Sequence, residues 1–313
     1  KPDVMLTWMY HADLLGSLAA KLVGNIPLSW NIRHSNLSDT ESKRLTHLTA
    51  RLCARLSRWV PRKIVCCSES SREVHTALGY ASDKMVVIPN GYDLDTFKPD
   101  LAARQSVRTE LNIAEASPII GLIARYDPQK DHRNFLMAAG LLHRERPDVH
   151  FILCGHEITE QNIDLMTWIE EAGIQDRCHL LGRRDDISRL NAAFDIASLS
   201  SSFGEAFPNV VAEAMSCGIP CVVTDVGDAA LIVGETGIVV PTRNSSALAD
   251  AWQAMLNMDQ EIRIQLGLTA RQRVMDRYNL PGIVSCYEDL FEELAGGSRT
   301  QELPSPRSAY VRD

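Results

Sequence analysis

Two carboxylates, Glu205 and Glu213, stand eight positions apart in a part of the sequence where such side chains can bind sugar hydroxyls. They follow an apolar run at 193–199 that predicts a buried strand. Pro208 begins a helical pattern that ends at Gly218, because proline suits the start of a helix and glycine the position after its end. This order puts Glu205 in a loop above the strand ends and Glu213 on the helix. Open parallel sheets bind their ligands at that edge.

Positive charge is predicted at the same edge. Arg125 and Lys130 directly follow the apolar strand predicted at 119–124, and two cations at the carboxyl end of a strand suit a pyrophosphate. A basic loop in solvent is the alternative interpretation. The predicted helix start would add backbone N–H groups that favour anions; its residues are Phe207, Pro208, Asn209 and Val210. Cations beside sugar-binding carboxylates predict a site for a nucleotide sugar.

The segment GEAFPNVVAEAM, which contains both carboxylates, resembles the E-x7-E motif of the family-4 retaining glycosyltransferases. Arg125 and Lys130 are similar to the family's R-x4-K pair. The resemblance implies that Glu205 holds donor-sugar hydroxyls, that Glu213 holds the ribose, and that the cations bind the donor diphosphate. It also implies front-face attack with no protein nucleophile and no metal or other cofactor, with a UDP-sugar as the favoured donor. Ala206 departs from the pattern, because glycine usually follows the first glutamate.

Two further glycine turns follow predicted strands of the second half. The resemblance implies that the loop with Gly182 and Arg183 borders the nucleotide base, largely through backbone groups. Gly155 occupies a comparable turn, where a glycine needed only for the turn is at least as good an interpretation.

Three polar side chains of the first half follow strand ends. Arg33 and His34 come after the strand predicted at 26–32, and His11 begins a helix after the first strand. The resemblance implies that a histidine after the 26–32 strand lies near the donor sugar and its phosphates. The sequence leaves Arg33 and His34 both open for this role, with His34 favoured, and we expect His11 on the acceptor side. Packed or solvated histidines are the plain alternative.

Strands and helices alternate along the chain, which predicts an α/β protein with parallel sheets. The resemblance implies the GT-B architecture, in which two Rossmann-like, doubly wound domains face each other across a cleft. We expect the first domain to be incomplete, with on the order of 60–90 residues preceding the sequence given, at about 30 residues per βα unit. The predicted boundaries are 1–98 for the acceptor-side domain, 99–282 for the donor domain, 283–295 for a helix crossing back to the first, and 296–313 for a disordered tail.

Composition excludes several classes of protein. The sequence has no apolar run of about eighteen residues, and its formal net charge of −8 with few aromatics argues against nucleic-acid binding. Eight cysteines without a CxxC pattern predict reduced thiols and a cytoplasmic location. Asp93-Leu94-Asp95 matches the DxD of metal-dependent transferases, but its turn-rich surroundings favour a structural turn. No metal site is predicted.

A basic segment interrupts this acidic chain. Between Lys43 and Lys63 there are seven basic residues and no acidic one. On a helix, the leucines and Trp59 of this segment share one face and its arginines line the adjacent stripe. A helix that packs its apolar face into the core is the plain interpretation. The alternative is that the arginine stripe touches anionic lipid, or the phosphates of a lipid-linked acceptor, and places the protein peripherally on the inner face of the plasma membrane.

The residues, together with what the resemblance implies, predict a retaining, metal-independent glycosyltransferase that moves a sugar from a nucleotide diphosphate sugar to a sugar or lipid-linked acceptor. Polysaccharide or glycolipid synthesis would use such an enzyme. A nucleotide-sugar 2-epimerase and a non-catalytic donor-binding protein are the alternatives.

Overall fold

The computed structural model describes residues 2–24, 26–35 and 44–296, in two compact units. The first unit contains the described residues up to 91, the loop 204–207, and residues 280–296. The second contains 92–203 and 208–279. The units thus divide at 91/92 and 279/280, a few residues before the predicted 98/99 and 282/283. The loop that carries Glu205 belongs to the first unit, although the sequence analysis placed it in the second.

The first unit is built on four parallel strands that lie side by side in sequence order. Because crossovers between parallel strands are right-handed, this order places the connecting helices on one face of the sheet. The helix that ends at Ala295 covers the other face, where it packs against Val65 and Ile88. The strands are Met5–Trp8 (β1), Leu28–Ile32 (β2), Lys63–Cys66 (β3) and Met85–Val87 (β4), and the helices are Tyr10–Val23 (α1), Arg44–Leu56 (α2), Glu69–Ala77 (α3) and Leu280–Ala295 (α12).

The second unit has six parallel strands in the order β10-β9-β8-β5-β6-β7. This is the doubly wound Rossmann order, and its direction of winding reverses between β5 and β8. The strands are Ile119–Ile123 (β5), His150–Cys154 (β6), Cys178–Leu180 (β7), Ile196–Leu199 (β8), Cys221–Thr224 (β9) and Gly237–Val240 (β10). The helices are Leu101–Glu110 (α4), His132–Glu145 (α5), Ile163–Ala172 (α6), Ile187–Ala193 (α7), Asn209–Ser216 (α8), Ala229–Val233 (α9), Ser245–Leu256 (α10) and Gln260–Arg277 (α11).

Tight packing holds β5 and β8 in this central position. A side chain at Gly121 of β5 would place its Cβ 2.1 Å from the ring of Phe194, so only glycine lets that ring lie against the strand. On the helical face, Phe135 meets the ring of Trp252 at a centroid distance of 5.0 Å, and the indole N–H donates to Ser198 of β8. The two strands at the reversal are therefore fixed by close contacts in the core.

Helix α4 was not predicted. Its N-terminus is capped by Asp100, which accepts from the Ala103 amide, and Arg108 is buried against the carboxylate of Asp195 at 3.0 Å. A long-range ion pair, rather than an apolar stripe, fixes this helix.

Candidate functional site

The point where the second sheet reverses direction brings together the loops after β5 and β8. The Ser200 hydroxyl donates to the Lys130 carbonyl at 2.7 Å, and the Ser202 amide donates to the Gln129 carbonyl at 2.9 Å. Both contacts are to the backbone, so they fix the course of the Arg125–Lys130 loop beside the residues that lead to α8. This is the crevice in which doubly wound sheets bind nucleotides.

Arg125 lies on this loop with its side chain 57% exposed. Its guanidinium donates twice to one carboxylate oxygen of Asp127, from Nε at 3.1 Å and from Nη2 at 2.9 Å. The other oxygen of Asp127 accepts from the Gln129 amide and caps the short turn that ends at Lys130. An incoming diphosphate would therefore compete with Asp127 for the guanidinium. Exposed pairs of this kind are weak, so that competition costs little.

A histidine next to this loop stays uncharged. His132 is the first residue of α5 and is buried. Burial lowers its pKa to about 4, and the positive charge of Lys130 also opposes protonation. Near neutral pH the positive charge of the loop therefore comes from Arg125 and Lys130.

The N-terminus of α8 is open at the same edge. The sequence analysis placed Pro208 inside the helix, whereas it occupies the position before it, and no side chain of the described residues caps this end. Helices α5 and α10 of the same unit are capped by Asp131 and Asn244. An uncapped helix N-terminus presents backbone donors and a positive dipole end to an anion.

Glu213 lies on α8, one turn beyond that N-terminus, and is half-buried. Burial raises the pKa of its carboxyl group. A half-buried carboxylate is suited to accept hydrogen bonds from neutral hydroxyls, as on a ribose. The structure therefore groups Glu213 with Arg125, Lys130, Pro208, Asn209 and Val210 in the second unit.

The glycine turns after β6 and β7 contact each other and the loop that follows β5. The Gly155 amide donates to the Gly182 carbonyl at 2.9 Å. A Cβ at Gly155 would lie 2.0 Å from the carbonyl oxygen of Ala124, the residue before Arg125. Close backbone approach alone thus explains this glycine. Gly182 has a φ of 63°, and Arg183 beside it is exposed.

Two family models match the chain, one in each half. Residues 1–96 match the model described as Glycosyltransferase Family 4, and residues 117–258 match Glycosyl transferases group 1. Among solved structures, Anabaena Alr3699/HepE in complex with UDP is similar with a TM-score of 0.81 and 24% identity, over 93% of this chain and 78% of that one. The fold is that of the GT-B glycosyltransferases. The predicted α/β fold class is thereby confirmed.

Sucrose-phosphate synthase from Thermosynechococcus elongatus has the same fold, with a TM-score of 0.81 and 21% identity over 95% of this chain and 74% of that one. Among curated relatives, an Escherichia coli UDP-Gal:alpha-D-GlcNAc-diphosphoundecaprenol alpha-1,3-galactosyltransferase is 23% identical over 94% of this chain and 76% of its own length. The N-acetyl-alpha-D-glucosaminyl L-malate synthase of Bacillus anthracis is 28% identical over 63% of this chain. The chain spans about half the length of that second relative.

The remaining predicted residues of this GT-B chain lie in its first unit. Glu205 is buried, with its backbone carbonyl held by the Ser35 hydroxyl. In the same loop, Phe207 is buried and the Ala206 carbonyl accepts from Ser70 at 3.4 Å. The two motif glutamates thus belong to different units of the structure.

The polar residues at the ends of β1 and β2 have partners that the sequence did not indicate. Arg33 donates to the Tyr287 hydroxyl at 3.5 Å, and its guanidinium lies 5.3 Å from the ring centre of Trp8. The His34 carbonyl accepts from Ser71 at 2.9 Å. His11 is exposed at the start of α1. A role for Arg33, His34 or His11 in binding stays a prediction.

The basic helix α2 contradicts the plain interpretation of its pattern. Leu45 and Leu48 of the helix are 65% and 66% exposed, and Trp59, three residues beyond its end, is 77% exposed, whereas Ala50 and Cys53 are buried. The small residues pack into the core of the first unit, and among the described residues nothing buries the leucine face. Arg51 and Arg55 beside that face are exposed as well, as is Arg58 after the helix. Across residues 2–24, 26–35 and 44–296, no helix is both long and apolar enough to cross a bilayer.

Proposed function

We propose that this GT-B chain is part of a retaining glycosyltransferase that takes its sugar from a nucleotide diphosphate sugar. The proposal rests on the arrangement of loops at the carboxyl ends of β5 and β8. There the Arg125–Lys130 loop is hydrogen-bonded to the loop that leads to the uncapped N-terminus of α8. Two cations and a helix N-terminus match the charge of a diphosphate, and Glu213 on the same helix suits a ribose.

In the proposed reaction, the residues at this edge stabilise the leaving group. The acceptor hydroxyl oxygen forms a bond to the anomeric carbon while the bond from that carbon to the phosphate oxygen breaks. The electron pair leaves with the nucleoside diphosphate, whose departing oxygen takes the acceptor proton. Attack from the face that the phosphate leaves gives retention. Arg125, Lys130 and the amides of α8 meet the growing charge. The role of Glu205 as a ligand of donor-sugar hydroxyls stays a prediction.

A UDP-sugar is the donor that the relatives favour. Anabaena Alr3699/HepE has been solved with UDP and with UDP-glucose, and the Escherichia coli relative is named for UDP-Gal. That relative is also named for an acceptor on diphosphoundecaprenol, which supports a lipid-linked acceptor here.

Metal independence is part of the proposal. Arg125 and Lys130 supply positive charge where a metal ion would otherwise be needed. In the DxD-like segment, one oxygen of Asp93 accepts from the Asp95 amide at 2.9 Å and the other from the Thr96 hydroxyl at 2.7 Å. Both oxygens thus serve the turn. We expect EDTA to leave activity unchanged; loss of activity that Mn²⁺ or Mg²⁺ restores would reassign Asp93 and Asp95 to a metal site.

The experiment that tests the reaction incubates the protein with a panel of nucleotide sugars and with sugar or lipid-linked acceptors. Product masses distinguish transfer from epimerisation or binding alone, and the anomeric configuration of the product by NMR tests retention. A 2-epimer formed without acceptor, or donor binding with no product, would replace the proposal with one of its alternatives.

We also propose that the exposed face of α2 binds anionic membrane from the cytoplasmic side. Leucines that would otherwise contact water stand beside exposed arginines, a combination typical of helices that lie in a membrane interface. Each arginine near an anionic surface contributes about 1 kcal/mol, so Arg51→Glu with Arg55→Glu should reduce binding at least tenfold.

Co-sedimentation with vesicles of phosphatidylglycerol and phosphatidylcholine tests this surface. Binding should require the anionic lipid and fall with salt. Arg144→Glu, at an exposed position of α5 in the second unit, is the matched control and should bind as the wild type does. If the α2 double variant binds the vesicles as well as the wild type does, the proposal is wrong.

A further inference from the structure

Arg33 directly follows β2, at the carboxyl edge of the first sheet. Its guanidinium lies 5.3 Å from the ring centre of Trp8, which is the last residue of the neighbouring strand β1. The two strands pair in parallel, with Trp8 beside Asn31. The Trp8 side chain is 52% exposed, and Arg33 is half-buried. A cation is therefore held against an indole at the edge where parallel sheets bind ligands.

A phenol from a distant part of the chain also contacts this guanidinium. The Tyr287 hydroxyl of α12 accepts from Arg33 Nη1 at 3.5 Å and from Asn31 Nδ2 at 3.1 Å. The Tyr287 ring packs against the apolar cluster that α12 forms with the sheet. Burial raises the pKa of Tyr287, so the phenol is neutral. Tyr287 thus orients Arg33 without neutralising its charge.

Asn31 stands where an apolar residue would be more stable. Every residue of β2 is buried, and Asn31 is 0% exposed. Its Oδ1 has no hydrogen-bond partner among the described residues. Burying an amide with one of its polar atoms unpaired costs free energy that an aliphatic side chain would not. The contact that its side chain makes is the one to Tyr287, so Asn31 serves the orientation of the phenol better than the stability of the strand.

The positive charge of Arg33 has no counter-ion. Its side chain contacts one indole face and one neutral hydroxyl, and no carboxylate in the described part of the chain pairs with it. Withdrawing a charge from water without an opposite charge is unfavourable, so the arrangement gains most when an anion binds. A single N–H of the guanidinium is used by Tyr287. The rest of its planar fork matches two oxygens of a phosphate.

We infer that Arg33 contacts a phosphate group of the acceptor, and that Tyr287, held by Asn31, is the positioning residue that orients it. The inference rests on the proposed function, because a lipid-linked acceptor of the class proposed above carries phosphate between its lipid and its sugar. The donor diphosphate is already assigned to Arg125 and Lys130 of the second unit. A phosphate at the edge of the first unit is therefore assigned to the other substrate.

Calorimetry of the whole chain with geranyl diphosphate and with geraniol tests the inference. UDP is present at saturation, so the proposed donor site is occupied and binding reports on a second phosphate site. The wild type should bind the diphosphate more tightly than the alcohol. Arg33→Gln should weaken geranyl diphosphate at least about tenfold and leave the affinities for geraniol and UDP unchanged. Arg33→Lys keeps the charge but not the fork and should regain part of the loss.

A matched control separates this contact from general charge. Lys21→Gln removes an exposed positive charge from the last turn of α1, at the end of the helix remote from Trp8. It should bind geranyl diphosphate as the wild type does.

Two variants test the positioning role. Tyr287→Phe removes the hydroxyl and keeps the ring, so it should weaken geranyl diphosphate about two- to fivefold. Combined with Arg33→Gln it should cause no further loss, because the phenol acts only through the guanidinium. Asn31→Val removes a buried amide with an unpaired oxygen, so it should not lower the melting temperature and yet should weaken geranyl diphosphate as Tyr287→Phe does. A purely structural role would lower the melting temperature and leave this affinity unchanged.

Four outcomes would overturn the inference. Unchanged affinity of Arg33→Gln for geranyl diphosphate would mean that Arg33 contacts no phosphate, and an equal loss for geraniol would place it against the hydrocarbon chain. A loss of UDP affinity in Arg33→Gln would move the contact to the donor. A loss of vesicle binding in the co-sedimentation assay would assign it to phosphates of the bilayer.

The two proposals fail separately. If the wild type binds UDP but binds geranyl diphosphate no better than geraniol, the inference is wrong and the donor site stands. If the wild type binds no UDP, the proposed donor site is wrong, whatever the result with geranyl diphosphate.

Discussion

Replacing Lys130 with alanine removes one charge from the proposed diphosphate site and leaves the loop in place. The Lys130 amide donates to the Asp127 carbonyl at 2.9 Å, and its carbonyl accepts from Ser200 at 2.7 Å. Both contacts belong to the backbone and survive the substitution. The turn still ends at residue 130, so a change in activity reports on the ammonium group.

The expected loss follows from the charges near the diphosphate. Two unit charges about 4 Å apart attract by about 4 kcal/mol at an effective dielectric constant near 20, which is an upper limit because both groups lose hydration. Arg125 offers incomplete compensation, since Asp127 already accepts from its guanidinium. We expect a loss of at least about 2.7 kcal/mol, or about 100-fold in kcat/KM. Much of it should fall in kcat, because the leaving phosphate gains charge in the transition state.

Initial rates and calorimetry with UDP and uridine measure this effect. UDP should bind more weakly to Lys130→Ala, and uridine should not. Arg133→Ala is the matched control, because it removes an exposed positive charge three positions along the chain. If Arg133→Ala loses as much kcat/KM as Lys130→Ala, the loss reflects the total positive charge of this region and not a contact of Lys130. Wild-type kinetics and UDP affinity in Lys130→Ala would refute the placement of the donor.

Three further predictions follow. Glu213→Gln keeps the shape of the side chain and should raise the KM for the donor with little change in kcat, and it should weaken UDP and uridine alike in calorimetry. Asp127→Asn retains a capping oxygen but releases Arg125, so UDP should bind about two- to fivefold more tightly; weaker binding would mean that Asp127 positions the arginine. Burial raises the pKa of Asp13 from 3.8 to about 7, so the folded carboxyl group stays protonated where the unfolded one ionises, and stability should fall as pH rises from about 4 to 7. In urea titrations, the free energy of unfolding of Asp13→Asn should exceed that of the wild type by up to about 4 kcal/mol at pH 8 and should equal it at pH 4. A difference that does not change with pH would contradict the raised pKa of Asp13.

The sheets could be predicted because parallel strands are buried on both faces. A strand of this kind must be apolar along its length, so a short apolar run marks it directly. The runs at 119–124 and 193–199 contain β5 at Ile119–Ile123 and β8 at Ile196–Leu199. The polar residues that follow such runs then lie at the ligand-binding edge. This local signal placed Arg125 and Lys130 after the carboxyl end of β5, and their role in binding stays a prediction.

The buried face of a helix was harder to predict from the sequence, because it depends on how closely the helix packs against its neighbours. In α2 the leucine face was expected in the core, yet the sheet accepts Ala50 and Cys53 instead. Small buried residues carry little apolar weight in a periodic pattern, so the larger leucines dominated the prediction. The order of strands in the second sheet is equally hidden from the residues. The resemblance implied doubly wound domains and gave no order of strands.

Contacts between residues that are distant in sequence could not be found from spacing. A helical or strand period relates residues a few positions apart, whereas Tyr92 meets Asn209 through the fold alone. The loop of Glu205 shows the same limit: its sequence neighbours suggested the second unit, but its compact packing is with the first. Groups that would touch the donor stand at strand ends and helix starts, where local rules apply. Which groups lie next to them depends on the path by which the chain returns to that edge. That path is a property of the whole fold.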